Sequence, residues 1–209
     1  MTARTCPPRD LLVALSAGTA PIAVSVLMRA HAELCPRCGP AATQLDQLGM
    51  ALARELPPSG LSDHFVEGLL DRAAATPQSP EASPLPQLPR SVLPYLARPF
   101  AFRRVIPGLE VADLPVRLGQ EPVRLVRMRP GFVVPPHQHR GVELQLVLSG
   151  GLIESDTDYR RGDVQVGRDG AQHGFATAAD EPCLTLLVKE APLVQTTWTA
   201  ALFTWWTGI

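Results

Sequence analysis

The spacing of hydrophobic residues divides the chain into two parts with different periods. In residues 1–75 apolar side chains recur three and four positions apart, which is typical of amphipathic helices. Cap and turn residues predict four helices. The first spans 10–18, from Asp10 to Gly18, and the second begins at Thr19 with Pro21 in its first turn. The third ends before Pro57 and has leucines on one stripe, at positions 45, 48, 52 and 56, and the fourth spans 61–75. The last helix places Phe65, Val66, Leu69 and Leu70 on one face.

The second part of the chain, residues 91–209, has the pattern of β-strands. Residues 121–131, 142–151 and 183–190 are short β-rich runs bounded by glycine, proline and other turn residues. Many short strands separated by such turn residues are typical of an all-β sandwich or barrel. The expected fold is therefore α+β in two domains, a small helical bundle followed by an all-β domain.

A proline-rich segment separates the two patterns. Five of the thirteen residues in 77–89 are proline, which lacks an amide hydrogen and fixes φ, so the segment cannot form a helix or an inner strand. It is typical of a semi-rigid extended linker. The predicted boundaries are a helical domain at 1–75, a linker at 76–90 and a β-domain at 91–209.

Composition excludes several classes of function. The formal net charge is −1, so no strongly basic face is expected and direct DNA binding is not predicted. No apolar run approaches the roughly 18 residues of a membrane span, and the first ten residues lack the apolar region of a secretion signal. A cytoplasmic location is expected. Cysteines there are usually reduced, which favours ligands, sensors or core residues over disulfides.

The octapeptide HAELCPRC combines three soft metal ligands, His31, Cys35 and Cys38. Positions i and i+4 share a helix face, and Cys6 or His64 can complete a tetrahedral zinc set, with Cys6 preferred. A helical domain with so small a hydrophobic core often needs a bound metal ion for stability. A redox dithiol is the alternative, disfavoured by the expected position at a helix carboxyl end. Unliganded cysteines are another, and for Cys6 this means a thiol near a frayed terminus.

A second set of ligands, His137, His139, Glu143 and His173, lies in the β-domain. The first three are separated by even numbers of residues, which places them on one face of a strand, with a local kink at Arg140–Gly141. Three imidazoles and one carboxylate suit zinc or another divalent transition metal. The alternative is a histidine pair on the surface.

Two further features leave alternatives open. Cys183 lies on a β-rich run and is either a buried structural thiol or a redox participant. Trp198, Trp205 and Trp206 fall in the last twelve residues and form either an interface patch or a lid on the β-domain.

Residues 131–150 resemble the first cupin motif, G-x5-H-x-H-x3-E-x6-G, at every defined position. Gly162, Gly170 and His173 resemble the second motif, from which Arg168 departs at the proline position and Thr177 at the asparagine position. The resemblance covers roughly residues 98–190. It implies a cupin barrel of the jelly-roll type that binds metal through its three histidines and glutamate.

The amino-terminal half is similar to the zinc-binding anti-sigma domain, with Leu15 in place of an aromatic residue and Cys6 where the family usually has histidine. A cupin after such a domain resembles ChrR-type anti-sigma factors. The resemblance implies a 1:1 complex with a group IV, or extracytoplasmic-function (ECF), sigma factor, which is released in oxidative or photo-oxidative (singlet oxygen) stress. It also implies a structural zinc in the helical half and a cupin sensor.

The apolar face of the fourth helix, Phe65, Val66, Leu69 and Leu70, is the candidate sigma-binding surface, and the alternative is that it forms the core of the bundle. A regulatory protein without catalytic residues is thus expected. The competing hypothesis is a metal-dependent cupin enzyme, a dioxygenase or isomerase, with an accessory helical domain, because three histidines and one glutamate leave coordination positions open.

Overall fold

A computed structural model describes residues 5–57, 60, 62–75, 85, 88–96, 99–191 and 194–195. The predicted helices are present as α1 (Arg9–Ser16), α2 (Ile22–Leu34), α3 (Cys38–Arg54) and α4 (Asp63–Ala75), and a 3₁₀ helix at Arg90–Tyr95 leads into the β-domain. Residues 76–84 of the linker and the three tryptophans lie outside the described part of the chain. None of the described helices is long and apolar enough to cross a membrane.

The first two helices begin one or more residues away from the predicted caps. Pro8 precedes α1 and Pro21 precedes α2, so Asp10 lies within the first turn of α1 instead of capping it. Proline at these positions sets φ near −53° and −52°, which directs the chain into the helix. The Thr19 hydroxyl bonds back to the carbonyl of Ala14 at 3.4 Å, at the end of α1, and so does not cap α2.

The β-domain contains eleven described strands in two antiparallel sheets. They are β1 (Arg103–Ile106), β2 (Leu109–Leu118), β3 (Glu121–Met128), β4 (Val133–Gln138), β5 (Glu143–Ser149), β6 (Gly151–Glu154), β7 (Thr157–Arg160), β8 (Val164–Gly167), β9 (Gln172–Thr177), β10 (Cys183–Lys189) and β11 (Val194–Gln195). One sheet has the order β1-β2-β3-β10-β5-β8 and the other β11-β4-β9-β6-β7. No described strand belongs to both sheets, so the cupin-like domain is a sandwich rather than a closed barrel.

Alternation along the central strands of the larger sheet determines what each face covers. In β10 all seven residues are buried. Leu184, Leu186 and Val188 join the hydrophobic cluster that contains the helices, whereas Cys183 and Leu187 face the interior of the sandwich. In β5 the same alternation turns Glu143 away from the helices and into the sandwich.

Helix α2 is buried between the other helices and the larger sheet. It packs against α1, α3, β2, β10 and the 3₁₀ helix. Leu27 and Met28 are fully buried in a cluster that also contains Leu125, Leu146 and Leu186 of the sheet. The carboxylate oxygens of Glu33 accept hydrogen bonds from the Arg90 and Ser91 amides, at 2.7 and 2.8 Å. These bonds hold the 3₁₀ helix against α2. The helical half and the cupin therefore share one hydrophobic core.

Helices α3 and α4 contribute little to that core. No residue of α3 is buried: Leu45 is half-buried against the cluster, whereas Leu48, Leu52 and Leu56 of the predicted stripe are exposed. The α4 face is also open, with exposed fractions of 48% for Phe65, 38% for Val66, 44% for Leu69 and 64% for Leu70.

Candidate metal centres

The first candidate centre brings together Cys6, His31, Cys35 and Cys38. One ligand atom from each residue lies within 4.8 Å of all the others. The Cys6 and Cys35 sulfur atoms are 3.6 Å apart. A tetrahedral zinc ion with Zn–S bonds of about 2.3 Å requires about 3.8 Å between two sulfur ligands. His64 belongs to α4 and is not part of this group.

The cysteine pair lies at the junction of two helices, which corrects the prediction that it lies only at a helix carboxyl end. Cys35 is the residue after α2, and Cys38 is the first residue of α3. The Cys38 amide donates to the Cys35 sulfur at 3.4 Å. The helix-pole argument therefore does not by itself exclude a dithiol. A zinc site is favoured over a redox dithiol because two further candidate ligands, Cys6 and His31, lie close to the cysteine pair.

Three neighbouring thiols cannot all ionise without a compensating cation. Burial, together with the neighbouring Cys6 and Cys35 sulfur atoms, raises the pKa of the Cys38 thiol to about 12. Burial also raises the pKa of Cys6. At Cys35 burial opposes ionisation, but hydrogen bonds from the Cys38 and Arg37 amides outweigh it and lower the pKa. A divalent cation would supply the charge that stabilises three thiolates.

His31 has the tautomer that a metal ligand needs. Its Nδ1 is 2.9 Å from the carbonyl oxygen of Gly162 and donates a hydrogen bond to it. The lone pair on Nε2 is therefore directed toward the cysteines, and this buried atom has no hydrogen-bond partner within the described residues. Burial lowers the pKa of His31, which favours the neutral imidazole. These donors fit zinc, for which Cys₃His is a common structural set.

The second candidate centre contains His137, His139, Glu143 and His173, again with one ligand atom each within 4.8 Å. His137 on β4 lies opposite His173 on β9 in the smaller sheet. His139 follows β4, and Glu143 begins β5 in the larger sheet. The four ligands thus come from both sheets and not from one strand face. The predicted kink is present, because Gly141 has a φ of +78° where the chain crosses between the sheets.

Hydrogen bonds from the Nδ1 atoms direct two of these imidazoles toward a common point. His137 Nδ1 donates to the Pro135 carbonyl at 2.9 Å, and His173 Nδ1 donates to Glu154 Oε1 at 2.6 Å. His137 Nε2 is buried and lacks a partner in the described chain. The Nε2 atoms of His139 and His173 are 2.7 Å apart. Burial, then the neighbouring His173 and His137, lowers the pKa of His139 to about 4, so the His139 imidazole is neutral near pH 7.

Glu154 is a functional candidate that the sequence motifs do not mark. Its carboxylate accepts the His173 Nδ1 proton and also a 2.8 Å hydrogen bond from Gln165 Nε2. A carboxylate that holds a ligating histidine fixes the ring orientation and raises its basicity. Glu154 lies on β6, between the two cupin motifs and at none of their defined positions, so only the pairing of β6 with β9 reveals its role.

Glu143 and Lys189 place opposite charges inside the sandwich. They are paired across β5 and β10, and the exposed fractions are 5% and 2%. Burial raises the pKa of Glu143 to about 7, although Lys189 opposes this shift. Burial lowers the pKa of Lys189, whose ammonium is 3.4 Å from Glu121 Oε2. Metal binding would add positive charge beside Glu143 and so favour its ionised form.

Cys183 lies apart from both centres. Its exposed fraction is 0%, and burial raises the pKa of its thiol to about 12. The thiol stays protonated at neutral pH, and oxidation follows thiolate character and exposure. This environment favours the structural interpretation over the redox one.

Comparison with known proteins identifies the combination of these features. Residues 100–194 match the family described as the ChrR cupin-like domain. Over 199 residues the chain is 31% identical to the anti-sigma-E factor ChrR of Cereibacter sphaeroides, covering 92% of each chain. It also matches the crystal structure of Rhodobacter sphaeroides SigE in complex with the anti-sigma ChrR, with a TM-score of 0.70, 30% identity, and coverage of 89% of this chain and 98% of that chain.

Other solved structures match a smaller share of the chain. A cupin-like protein of Ralstonia eutropha is 17% identical, with a TM-score of 0.40 over 48% of this chain and 71% of that one. The match to ChrR covers 92% of this chain and therefore includes both the helical half and the cupin half. Identity of 31% along 92% of both chains shows that this protein belongs to the ChrR family of anti-sigma factors, which are regulatory proteins and not enzymes.

Proposed function

We propose that this protein is a metal-dependent anti-sigma factor that sequesters a group IV (ECF) sigma factor in a 1:1 complex and releases it in oxidative or photo-oxidative (singlet oxygen) stress. The observation that carries the proposal is similarity to an anti-sigma factor along 92% of the chain. A matched relative is seen in complex with its sigma factor SigE. The protein acts in the cytoplasm, where sigma factors act, and regulates transcription without binding DNA directly.

The exposed face of α4 supports its assignment as the sigma-binding surface. Phe65, Val66, Leu69 and Leu70 are all at least 38% exposed, so none of them is needed to fill the core of the isolated chain. Contiguous exposed apolar side chains mark protein-interaction sites. Covering this face with the apolar surface of a partner would stabilise the complex through the hydrophobic effect.

Each metal centre has its own role in this function. Zinc bound by Cys6, His31, Cys35 and Cys38 would hold the amino-terminal segment, α2 and α3 together. Zinc or another divalent transition metal bound by His137, His139, Glu143 and His173 would make the cupin the sensor. Changing a complex from mostly bound to mostly released requires about 5.5 kcal/mol of differential free energy, and loss or oxidation of a metal ligand can supply it.

The proposed protein has the three parts that the sequence predicts: a sigma-binding helical domain at 1–75, a linker at 76–90 and a cupin sensor at 91–209. The α2 packing described above adds one condition. Release must leave the shared core intact or separate α2 from the larger sheet, and in either case α4 is outside that core.

The proposal is tested by binding of the full chain to a group IV sigma factor of the same organism. The double variant Phe65→Glu/Leu69→Glu should weaken binding by about 30-fold or more, because even one interface hot spot contributes about 2 kcal/mol. Its thermal unfolding should match that of the parent, since surface substitutions are usually within about 0.5 kcal/mol.

Val133→Glu is the matched control, because Val133 is 66% exposed on the cupin and far along the chain from α4. This variant should bind the sigma factor with unchanged affinity. Equal binding by the α4 double variant and the parent would refute the assignment of the α4 surface. Failure of the parent chain to bind any group IV sigma factor would refute the function itself.

A further inference from the structure

The amino-terminal metal centre is in contact with the cupin on two sides. Gly162 and Asp163 lie on the turn between β7 and β8 and are both buried. The Gly162 carbonyl accepts the Nδ1 proton of His31 at 2.9 Å. Gly162 has a φ of +89°, a left-handed conformation that favours glycine and directs this carbonyl toward α2. One of the four ligands is therefore oriented by the cupin backbone.

A second ligand is held by the same turn. The Asp163 carboxylate, on a residue only 1% exposed, accepts the Thr5 amide at 2.6 Å and the Arg160 amide at 2.9 Å. The Thr5 carbonyl in turn accepts the Val164 amide at 3.0 Å. Thr5 immediately precedes Cys6, so these bonds fix where the Cys6 sulfur lies.

We propose that Asp163 is a positioning residue for the amino-terminal zinc site, which the helical half and the cupin build together. Without Asp163, the segment that carries Cys6 loses the hydrogen bond from the Thr5 amide to the cupin. The other three zinc ligands, His31, Cys35 and Cys38, remain in place. This inference rests on the zinc site of the proposed function and extends it, because it assigns part of the site to the sensor half.

A reciprocal consequence follows from linkage. If docking of residues 5–6 on the cupin strengthens zinc binding, zinc must strengthen that docking by the same factor. The zinc site then connects the helices to the cupin as well as α2 to α3. Loss of zinc would loosen the contact between the sigma-binding half and the sensor half.

Cobalt(II) titration of the full chain measures this site selectively. Thiolate ligands give cobalt a charge-transfer absorption, and the cupin centre contains only nitrogen and oxygen donors. The parent should show this absorption with a defined affinity. Asp163→Ala should lower the affinity about 10-fold or more, as expected for loss of an outer-shell partner. Asp163→Asn retains one of the two acceptor oxygens and should recover part of the affinity.

Thr5→Pro provides an independent test, because it removes the amide hydrogen that Asp163 accepts and leaves the cupin turn unchanged. It should weaken cobalt binding as Asp163→Ala does, even if the latter variant folds poorly. Asp156→Ala, at an exposed position in the neighbouring turn, is the control and should bind cobalt like the parent. Hydrogen exchange at the Val164 amide should slow when zinc is added to the parent and not when it is added to Thr5→Pro.

Unchanged cobalt affinity in both Asp163→Ala and Thr5→Pro would overturn the inference. A parent chain without the thiolate absorption would instead overturn the zinc site on which the inference rests. Unchanged affinity together with normal sigma-factor binding would limit the role of Asp163 to the turn itself and leave the proposed function intact.

Discussion

Glu143 shows at the scale of one residue how burial prepares a metal ligand. The folded chain without metal keeps the proton on Glu143 up to a pKa of about 7, whereas the ordinary value is 4.5. Between these values the folded state binds more protons than the unfolded state. The Glu143 contribution to the free energy of unfolding therefore decreases as pH rises through this window.

This decrease of stability with rising pH can be tested with Glu143→Gln, which cannot ionise. In chelator-treated protein, the stability of the parent relative to this variant should decrease by roughly 3 kcal/mol between pH 4.5 and 7.5. Urea unfolding at a series of pH values measures the difference. A relative stability that rises with pH would show that Glu143 is already ionised in the folded chain.

Glu154 predicts a separate effect on the metal itself. Glu154→Gln replaces the carboxylate that accepts the His173 Nδ1 proton, so the affinity of the cupin for its metal should fall about 10- to 100-fold. Competition with a chelator measures the affinity. Asp158→Asn changes a carboxylate of β7 that is 43% exposed and pairs with Arg160, and this control should leave metal binding unchanged. Equal affinities of Glu154→Gln and the parent would contradict the role of Glu154.

At the scale of elements, β8 connects the two metal centres. Its first residue, Val164, bonds to Thr5 beside the amino-terminal centre. Its last residue, Gly167, pairs with Glu143 and leaves room for His139: a Cβ at Gly167 would lie 2.7 Å from His139 Nε2. A four-residue strand thus reaches from one ligand set to the other.

Gly167→Ala tests this close approach. The added methyl group should displace the His139 ring and weaken cupin metal binding by about 10-fold or more, while the amino-terminal centre still binds zinc. Metal analysis after dialysis against a weak chelator would show one metal retained and one lost. Gly49→Ala makes the same chemical change on α3, where nothing lies within 4 Å, and should retain both metals. Two retained metals in Gly167→Ala would contradict the geometry of the site.

The sequence predicts the elements well and their partners poorly. The four helices, the strands at 121–131, 142–151 and 183–190, and the candidate groups His31–Cys35–Cys38 and His137–His139–Glu143 follow from local spacing, which is a property of the chain alone. The periodicity of α2 shows that it is apolar but not that it packs on a β-sheet. The contacts of Gly162 with His31 and of Glu154 with His173 join residues 131 and 19 positions apart, so no local pattern reveals them.

At the scale of the whole molecule, one hydrophobic core joins the helical half to the cupin. Leu27→Ala removes a fully buried side chain from this core and should cost about 2–5 kcal/mol of unfolding free energy. Helix and sheet signals should be lost together, in a single transition monitored by circular dichroism. Leu52→Ala, at a position 61% exposed on α3, should change stability by less than about 0.5 kcal/mol. Two separate transitions in Leu27→Ala would show that the halves do not share a core.

If the proposed function is right, the metal-loaded chain binds a group IV sigma factor and releases it under oxidative stress. Fluorescence anisotropy of a labelled sigma factor, titrated with the full chain before and after exposure to photosensitised singlet oxygen, tests it directly. We expect 1:1 binding before exposure and an affinity lower by up to about 10⁴-fold afterwards. Absence of binding by the metal-loaded chain, or the same affinity before and after exposure, would refute the proposed function.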